Sequence, residues 1–263
     1  MTRLCILSLR EKAGYTGDIV IFTDGVHFFD DIPQTNLNIV HINGVEKIRQ
    51  IPGFANCPEY LCAQKFRVFM TDHYNFKAYE KLIYIDYDVL VSRNISTVFD
   101  YISTSSVYFT YAAQAHWIDK YQKPYGQQSP YISSNFKLDT CINSNIFTNS
   151  TTGICSGIFG IKTDQMGALF SSWRKRIIQN VAQGIYINDQ FPFNELLLEA
   201  DVHGEPFPDE WIDYPLLPII KLDDLRNLES TEKYIFHHFN PCKAETKIHY
   251  MKIFSAFGHI IYN

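Results

Sequence analysis

One segment constrains the fold of this chain more than any other: the apolar run Lys81–Ile85, which leads directly into Asp86-Tyr87-Asp88. The run predicts a buried β-strand, and a second apolar stretch, Val89–Val91, follows the two carboxylates. Because successive side chains of a strand point to opposite faces, Asp86 and Asp88 can meet one cation only if the strand ends there and the backbone turns. Hard divalent ions prefer carboxylate and phosphate oxygens, so the segment predicts a Mg2+ or Mn2+ site suited to a diphosphate. The alternative is a solvated turn, which carboxylates also favour.

A second buried strand is predicted over Asp18–Thr23, where an apolar run ends in polar residues and glycine. Such a strand delivers Thr23 and Asp24 to its carboxyl end, which is where open α/β sheets bind ligands. The remaining pattern predicts strands over Leu37–Ile42, Ser106–Thr110, Ile154–Ile161 and Tyr234–Phe239, and helices over Tyr60–Tyr74, Thr163–Gln183 and Phe193–Glu199. We therefore expect an α/β fold formed by a single domain over residues 1–263.

Composition excludes several classes of partner. The 263 residues carry a formal net charge of -5 and contain no long Lys/Arg run, which argues against nucleic acid. The longest apolar stretches, Leu4–Leu9 and Leu82–Ile85, fall far short of the roughly 20 residues that a membrane span needs, so no span is expected. The six cysteines form no Cys-x-x-Cys pair and are too sparse for a disulfide scaffold, which favours reduced thiols and a cytoplasmic location.

Several motifs occur together in a fixed order along most of the chain. They are Leu7-Ser8-Leu9-Arg10, Asp18–Asp24, Ala63–Arg67, Leu82–Val91 with its Asp-x-Asp, Ser156–Phe159, Asn188-Asp189-Gln190, and His237-His238 followed by Lys243 or Lys247. Any one piece is weak evidence, whereas the ordered set is fairly specific. In this set the chain resembles the glycogenin-like and galactosyltransferase-like retaining glycosyltransferases of the GT-A fold.

The resemblance implies a fold, a reaction and a donor. The fold is the Rossmann-like GT-A fold, with a mixed central sheet flanked by helices and a central strand that ends at Asp86. The implied reaction is the transfer of a hexose from a nucleotide-sugar, with UDP as the expected nucleotide, to the hydroxyl of a glycan or another acceptor, with retention of configuration. The polar segment 116–149 is then a loop insertion on the acceptor side, and its aromatic residues Trp117, Tyr121, Tyr125 and Tyr131 are candidate acceptor contacts. A homodimer is compatible with this picture.

The resemblance also assigns roles to individual residues. Mn2+, or Mg2+, would be held by Asp86, Asp88 and a histidine, His237 by best alignment with His238 as the fallback. The donor would be contacted by Thr23, Asp24, Lys65, Tyr87, Ser156, Gly157 and Lys247, with Thr23 and Asp24 at the nucleoside and Lys247 at the diphosphate. Asp189 and Gln190 would lie beside the anomeric carbon, where a carboxylate or an amide stabilises developing positive charge.

Each assignment has a structural alternative. Asp189 can be a helix N-cap, Ser156-Gly157 a bulge in a strand, and Lys65 an exposed helical lysine. The family's first strand is also missing from its usual place, so either the chain is truncated or Leu4–Leu9 has become that strand.

Three other classes of function are alternatives to the transferase. A phosphohydrolase of the haloacid dehalogenase type would use Asp86 as nucleophile and Asp88 as acid/base, although such a motif usually lies near the N-terminus. A degenerate, non-catalytic nucleotide-sugar-binding protein would keep the fold without turnover. A sugar-phosphate nucleotidyltransferase needs a glycine-rich, basic loop after its first strand, and the sequence has none.

Overall fold

The computed structural model describes residues 1–57, 59, 62, 66–104, 106–111, 154–182, 189–198, 203–214, 234–239, 245 and 247–252. The predicted insertion 116–149, with its four candidate acceptor aromatics, lies outside the described residues, as does Lys65.

The described elements alternate between strands and helices. The strands are β1 (Ile19–Thr23), β2 (Leu37–His41), β3 (Lys81–Ile85), β4 (Val89–Val91), β5 (Val107–Tyr111), β6 (Ile154–Lys162), β7 (Gly204–Pro206), β8 (Ile212–Asp213) and β9 (Phe236–His238). The α-helices are α1 (Thr2–Leu7), α2 (Gly44–Arg49), α3 (Ser96–Tyr101), α4 (Thr163–Ala182), α5 (Gln190–Leu198) and α6 (247–252). A π-helical turn, Ser8–Lys12, continues α1, and 3₁₀ helices span Val26–Phe29, Phe66–Asp72, Phe76–Ala78 and Asp209–Trp211.

The strands form three hydrogen-bonded groups of mixed direction. Strands β1 and β2 are parallel, the second group has the order β3-β6-β5-β7, and the third has the order β4-β9-β8. Strand β6 pairs antiparallel with both β3 and β5, whereas β7 runs parallel to β5. The expectation that the strand ending at Asp86 is central is wrong for the described sheet, because β3 lies at its edge, whereas the long β6, buried as far as Ile161, takes an interior position.

The largest core lies between β6 and the helices α4 and α5. Helix α4 buries Met166, Leu169, Phe170, Trp173 and Ile177, the three- and four-residue spacing that places side chains on one face of a helix. These side chains cover Phe159 of β6 together with Phe193 of α5, whose ring centroid lies 4.6 Å from that of Trp173. Burying each large aromatic contributes about 1.5–3 kcal/mol, so this cluster fixes α5, and the residue before it, against β6.

Most predicted elements are confirmed within a residue or two. Helix α5 begins three residues earlier than predicted, at Gln190, and two other elements differ. Residues 4–9 do not form a strand, since α1 and its π-helical turn cover them and bury Cys5, Ile6 and Leu9. The described part of the helix predicted over Tyr60–Tyr74 is largely the 3₁₀ helix Phe66–Asp72, a distinction that apolar spacing over so few residues does not make. Over the described ranges, no helix combines the length and the apolar character that a bilayer crossing requires.

Candidate active site

The two aspartates of the Asp-Tyr-Asp motif lie in a tight turn between β3 and β4. Asp86 N–H donates to the Gly157 carbonyl at 2.7 Å, and the Val89 N–H returns to the Asp86 carbonyl at 3.2 Å. This turn breaks the alternation of side chains, so Asp86 and Asp88 come to one side while Tyr87 points outward with 52% of its surface exposed. The sequence prediction that both carboxylates meet only where a strand ends agrees with this geometry.

His238, and not His237, faces the two aspartates. The ligand atoms of Asp86, Asp88 and His238 all lie within 4.8 Å of one another, and His238 Nε2 is 3.4 Å from Asp88 Oδ1. Neighbouring residues of a strand point to opposite faces, so His237 turns away: its Nε2 lies 2.9 Å from Ser92 Oγ and its Nδ1 3.6 Å from an oxygen of Asp213. The described geometry therefore groups the fallback His238, and not the preferred His237, with the two aspartates.

Gly157 leaves room for this group. A Cβ atom built on Gly157 would lie 2.5 Å from Asp86 Oδ2 and 2.8 Å from His238 Cε1, both closer than real Cβ atoms come. The backbone of strand β6 thus lies directly against the carboxylate of Asp86 and the imidazole of His238, where only a glycine fits. We call this close approach the Gly157 cradle. The absence of a side chain keeps Asp86 and His238 side by side.

A buried arginine joins Asp86 to Asp189. Arg67 Nε lies 2.5 Å from Asp189 Oδ2, and its terminal nitrogen NH2 lies 3.4 Å from Asp86 Oδ1. The other terminal nitrogen donates to the Ser156 carbonyl at 2.5 Å, and the guanidinium stacks over the Tyr84 ring at 4.9 Å. Burial lowers the pKa of Arg67, but the two carboxylates outweigh it and the net shift is upward, so the guanidinium stays charged.

The two carboxylate oxygens of Asp86 have different surroundings. Oδ1 accepts a hydrogen bond of 2.8 Å from the Tyr84 hydroxyl and faces Arg67, whereas Oδ2 lies over Gly157 beside His238. Burial, assisted by the negative charge of Asp86, raises the pKa of Tyr84 well above its usual value, so Tyr84 remains a hydrogen-bond donor. The carboxylate is therefore oriented by Tyr84 and Arg67, with Oδ2 directed at the other ligand atoms.

Asp88 lies between the imidazole of His238 and the ammonium of Lys247. Oδ1 faces His238, and Lys247 of α6 donates a hydrogen bond from Nζ to Oδ2. Burial raises the pKa of Asp88, but His238 and Lys247 reverse this and hold it well below its usual range. Burial also opposes charge on His238, yet Cys155 and Asp88 beside it raise its pKa to about 10, and Asp88 likewise raises the pKa of Lys247. Asp88 is thus strongly anionic.

Asp189 is held by its backbone as well as by Arg67. It immediately precedes α5, its carbonyl accepts 2.8 Å and 3.3 Å hydrogen bonds from Trp173 Nε1 and the Phe193 N–H, and its side chain is buried. One turn into α5, the amide of Asn194 pairs with both backbone groups of Ile154, at 2.6 Å and 2.8 Å. These contacts hold the start of α5 against β6. Asp189 therefore has a fixed position, linked through Arg67 to Asp86.

The remaining predicted residues differ in how closely they approach this group. Ser156 is buried and takes part through its carbonyl, and Gln190 begins α5 directly after Asp189. Thr23 and Asp24 lie at the end of β1, where Asp24 is exposed and the Thr23 hydroxyl accepts from the Gly25 N–H at 3.0 Å. Their described link to the site is indirect, through the packing of Phe22 on Phe66, the neighbour of Arg67.

Three residues at the site received no role from the sequence: Arg67, Tyr84 and Cys155. Arg67 occurs within the apolar run Phe66-Arg67-Val68-Phe69-Met70, and a lone charge there is a signal that it is buried against a partner. Tyr84 looks like an ordinary strand residue. Cys155 Sγ lies 3.6 Å from His238 Nδ1, a contact between β6 and β9 that only the tertiary structure creates.

Comparison with known proteins supports the fold assignment. No protein-family model and no curated protein matches the sequence. Among solved structures, the galactosyltransferase LgtC in complex with donor and acceptor sugar analogues is similar with a TM-score of 0.59 and 11% identity, over 97% of this chain and 90% of LgtC. Mouse xyloside xylosyltransferase 1 gives a TM-score of 0.52 and 12% identity, over 92% of this chain and 93% of that one.

The bifunctional glycosyltransferase WbbM is similar over part of its length. It gives a TM-score of 0.54 and 18% identity over 91% of this chain, which spans 43% of the WbbM chain. At these identities the similarity establishes architecture. The chain has the GT-A fold of these glycosyltransferases.

Proposed function

We propose that this protein is a metal-dependent glycosyltransferase that moves a hexose from a nucleotide-sugar, with UDP as the expected nucleotide, to a hydroxyl acceptor. The observation that carries the proposal is the group formed by Asp86, Asp88 and His238, joined through Arg67 to Asp189, on a GT-A fold. If Asp86 and Asp88 formed only a solvated turn, neither the buried Arg67 nor the Gly157 cradle would be needed.

The side chains present suit a divalent metal. Two carboxylates favour Mg2+ and Mn2+, and an imidazole is a common ligand of first-row transition ions, so Mn2+ matches the mixed set best. Asp86, Asp88 and His238 would hold it, and the Gly157 cradle keeps the space between Asp86 Oδ2 and His238 clear of a side chain. When bound, such an ion neutralises the charge that develops on the departing diphosphate.

Arg67 prepares the site for a sugar. Its guanidinium keeps Asp189 ionised and immobile in a buried place, because an uncompensated buried carboxylate would otherwise take up a proton. A fixed carboxylate beside the anomeric carbon stabilises the positive charge that develops as the bond to the diphosphate breaks. Gln190 follows Asp189 and offers an amide to the same region, and Lys247 is available to the diphosphate.

The proposed reaction retains the anomeric configuration. The acceptor hydroxyl oxygen forms a bond to the anomeric carbon on the face from which the diphosphate departs, and the carbon–oxygen bond to the diphosphate breaks. The hydroxyl proton passes to a phosphate oxygen of the leaving group, so the products are a glycoside and a nucleoside diphosphate. We propose that the donor is contacted by Thr23, Asp24, Lys65 and Tyr87. The acceptor is proposed to contact segment 116–149 of the single domain.

The described thiols agree with a cytoplasmic location. Cys5, Cys57, Cys62 and Cys155 are all buried, and none of these four described cysteines is in a disulfide. Reduced cysteines are typical of a reducing compartment, so we propose that the protein works there.

The test is release of the nucleoside diphosphate from UDP-glucose, UDP-galactose, UDP-GlcNAc and GDP-mannose, with Mn2+ or with EDTA. We expect release from one donor, only with metal, and its loss in Asp88→Asn. Asp164→Asn, which changes an exposed carboxylate in the first turn of α4, is the matched control and should retain activity. Metal-dependent UDP binding without turnover of any donor would identify a non-catalytic binding protein. Phosphatase activity lost in Asp86→Asn, without UDP binding, would identify a phosphohydrolase and refute the transferase.

A further inference from the structure

A lysine already occupies one carboxylate of the candidate metal site. Lys247 donates to Asp88 Oδ2, while Asp88 Oδ1 faces His238. The side chains of Lys247 and Asp88 are only 12% and 6% exposed. Because the pair is largely shielded from water, its attraction is far stronger than that of a surface ion pair.

A divalent ion and the Lys247 ammonium compete for this carboxylate. Both are positive, both need Asp88, and the shielding that strengthens the ion pair also strengthens their mutual repulsion. When the ion binds alone, Lys247 must therefore give up its partner and is left as a partly buried cation without an anion. Metal binding without another ligand is opposed by that loss.

A diphosphate removes the conflict. Its oxygens bind a divalent ion and also accept hydrogen bonds from a lysine ammonium, so it supplies Lys247 with a new anionic partner as the metal takes Asp88. Lys247 of α6 contacts the Asp-Tyr-Asp turn through Asp88, next to the exposed Tyr87.

We propose that Lys247 is a built-in counter-ion of Asp88 in the candidate metal site, which weakens the binding of metal alone and makes metal and nucleoside diphosphate bind cooperatively. The inference rests on the proposed function, since it needs both ligands at this site. Because coupling between two ligands is reciprocal, the metal must strengthen diphosphate binding by the same factor by which the diphosphate strengthens metal binding.

The test measures Mn2+ affinity from the free-ion electron paramagnetic resonance signal, with and without UDP. Lys247→Met removes the charge and keeps much of the side-chain length. We expect it to bind Mn2+ alone about tenfold or more tightly than the wild type, and the strengthening of Mn2+ binding by UDP to shrink by at least a similar factor. Lys247→Arg keeps the charge and should remain close to the wild type. Lys252→Met, at an exposed lysine of α6, is the matched control and should change neither affinity.

Thermal unfolding of each variant establishes that it is folded, and Lys247→Gln serves in place of Lys247→Met if that variant is not. Equal or weaker Mn2+ binding by the folded, uncharged variant in the absence of UDP would overturn the inference and leave the transferase proposal intact. If no protein of the set, wild type included, binds Mn2+ with or without UDP, the metal site itself is refuted and the inference falls with it.

Discussion

Substitution of Gly157 gives the sharpest prediction, because the structure shows how far the neighbouring side chains must move to make room for a Cβ atom. In Gly157→Ala, the new methyl group would lie 2.5 Å from Asp86 Oδ2 and 2.8 Å from His238 Cε1. Ordinary contact begins at 3.4 Å, so the oxygen must retreat by 0.9 Å (3.4 − 2.5) and the ring carbon by 0.6 Å (3.4 − 2.8). Gly157 is not among the residues with positive φ, so alanine adopts its backbone conformation without strain.

Displacements of this size matter more for binding than for folding. A functional group must be held within about 0.5 Å of its productive position, and a misplacement of about 1 Å costs on the order of 100-fold. We therefore expect Gly157→Ala to weaken Mn2+ binding about 100-fold, or about 2.7 kcal/mol. Calorimetric titration with Mn2+ in the presence of UDP measures this directly, and donor hydrolysis should fall in parallel.

Gly167→Ala is the matched control. Gly167 is exposed in α4, and a Cβ built there has nothing within 4 Å. Alanine within a helix is more stable than glycine by about 0.5–1 kcal/mol, so this variant should unfold at a slightly higher denaturant concentration and bind Mn2+ unchanged. Wild-type Mn2+ affinity in a folded Gly157→Ala protein would refute the assignment of the cradle to a metal site.

Two pairs of substitutions and one labelling experiment test other parts of the structure. Arg67→Met should lower the free energy of unfolding by about 3–5 kcal/mol in denaturant titrations, because two shielded carboxylates lose their cation. Arg3→Met, at an exposed ion pair, should change the free energy of unfolding far less, and similar losses in the two variants would contradict the burial argument. His238→Gln should abolish tight Mn2+ binding while His237→Gln destabilises the protein and retains it, and calorimetry showing the reverse would restore His237 as the ligand. Burial raises the pKa of Cys5 to about 12, so its reactive thiolate is scarce at pH 8 and mass spectrometry should find Cys5 unlabelled by iodoacetamide until the protein unfolds.

The local pattern of the sequence was sufficient to predict the main elements and the Asp-Tyr-Asp turn. Strand β3 is a continuous apolar run whose two faces pack against two core clusters, and α4 repeats its apolar residues at helical spacing over 20 residues. The turn was predictable because two carboxylates that follow a strand can meet only where its alternation stops. The 3₁₀ helix Phe66–Asp72 was not, because its short apolar pattern resembles that of an α-helix.

Other features were decided only when distant segments came together. The sequence places two adjacent histidines after an apolar run, and which of them faces Asp88 depends on the pairing of β9 with β4 and β8, where a slip of one residue would exchange them. Arg67 becomes the bridge between Asp86 and Asp189 because the core around β6 buries it between two acidic groups more than 100 residues apart in sequence, 86 and 189. A lone charge can be buried only where the tertiary structure supplies its partners, and no local pattern contains those partners.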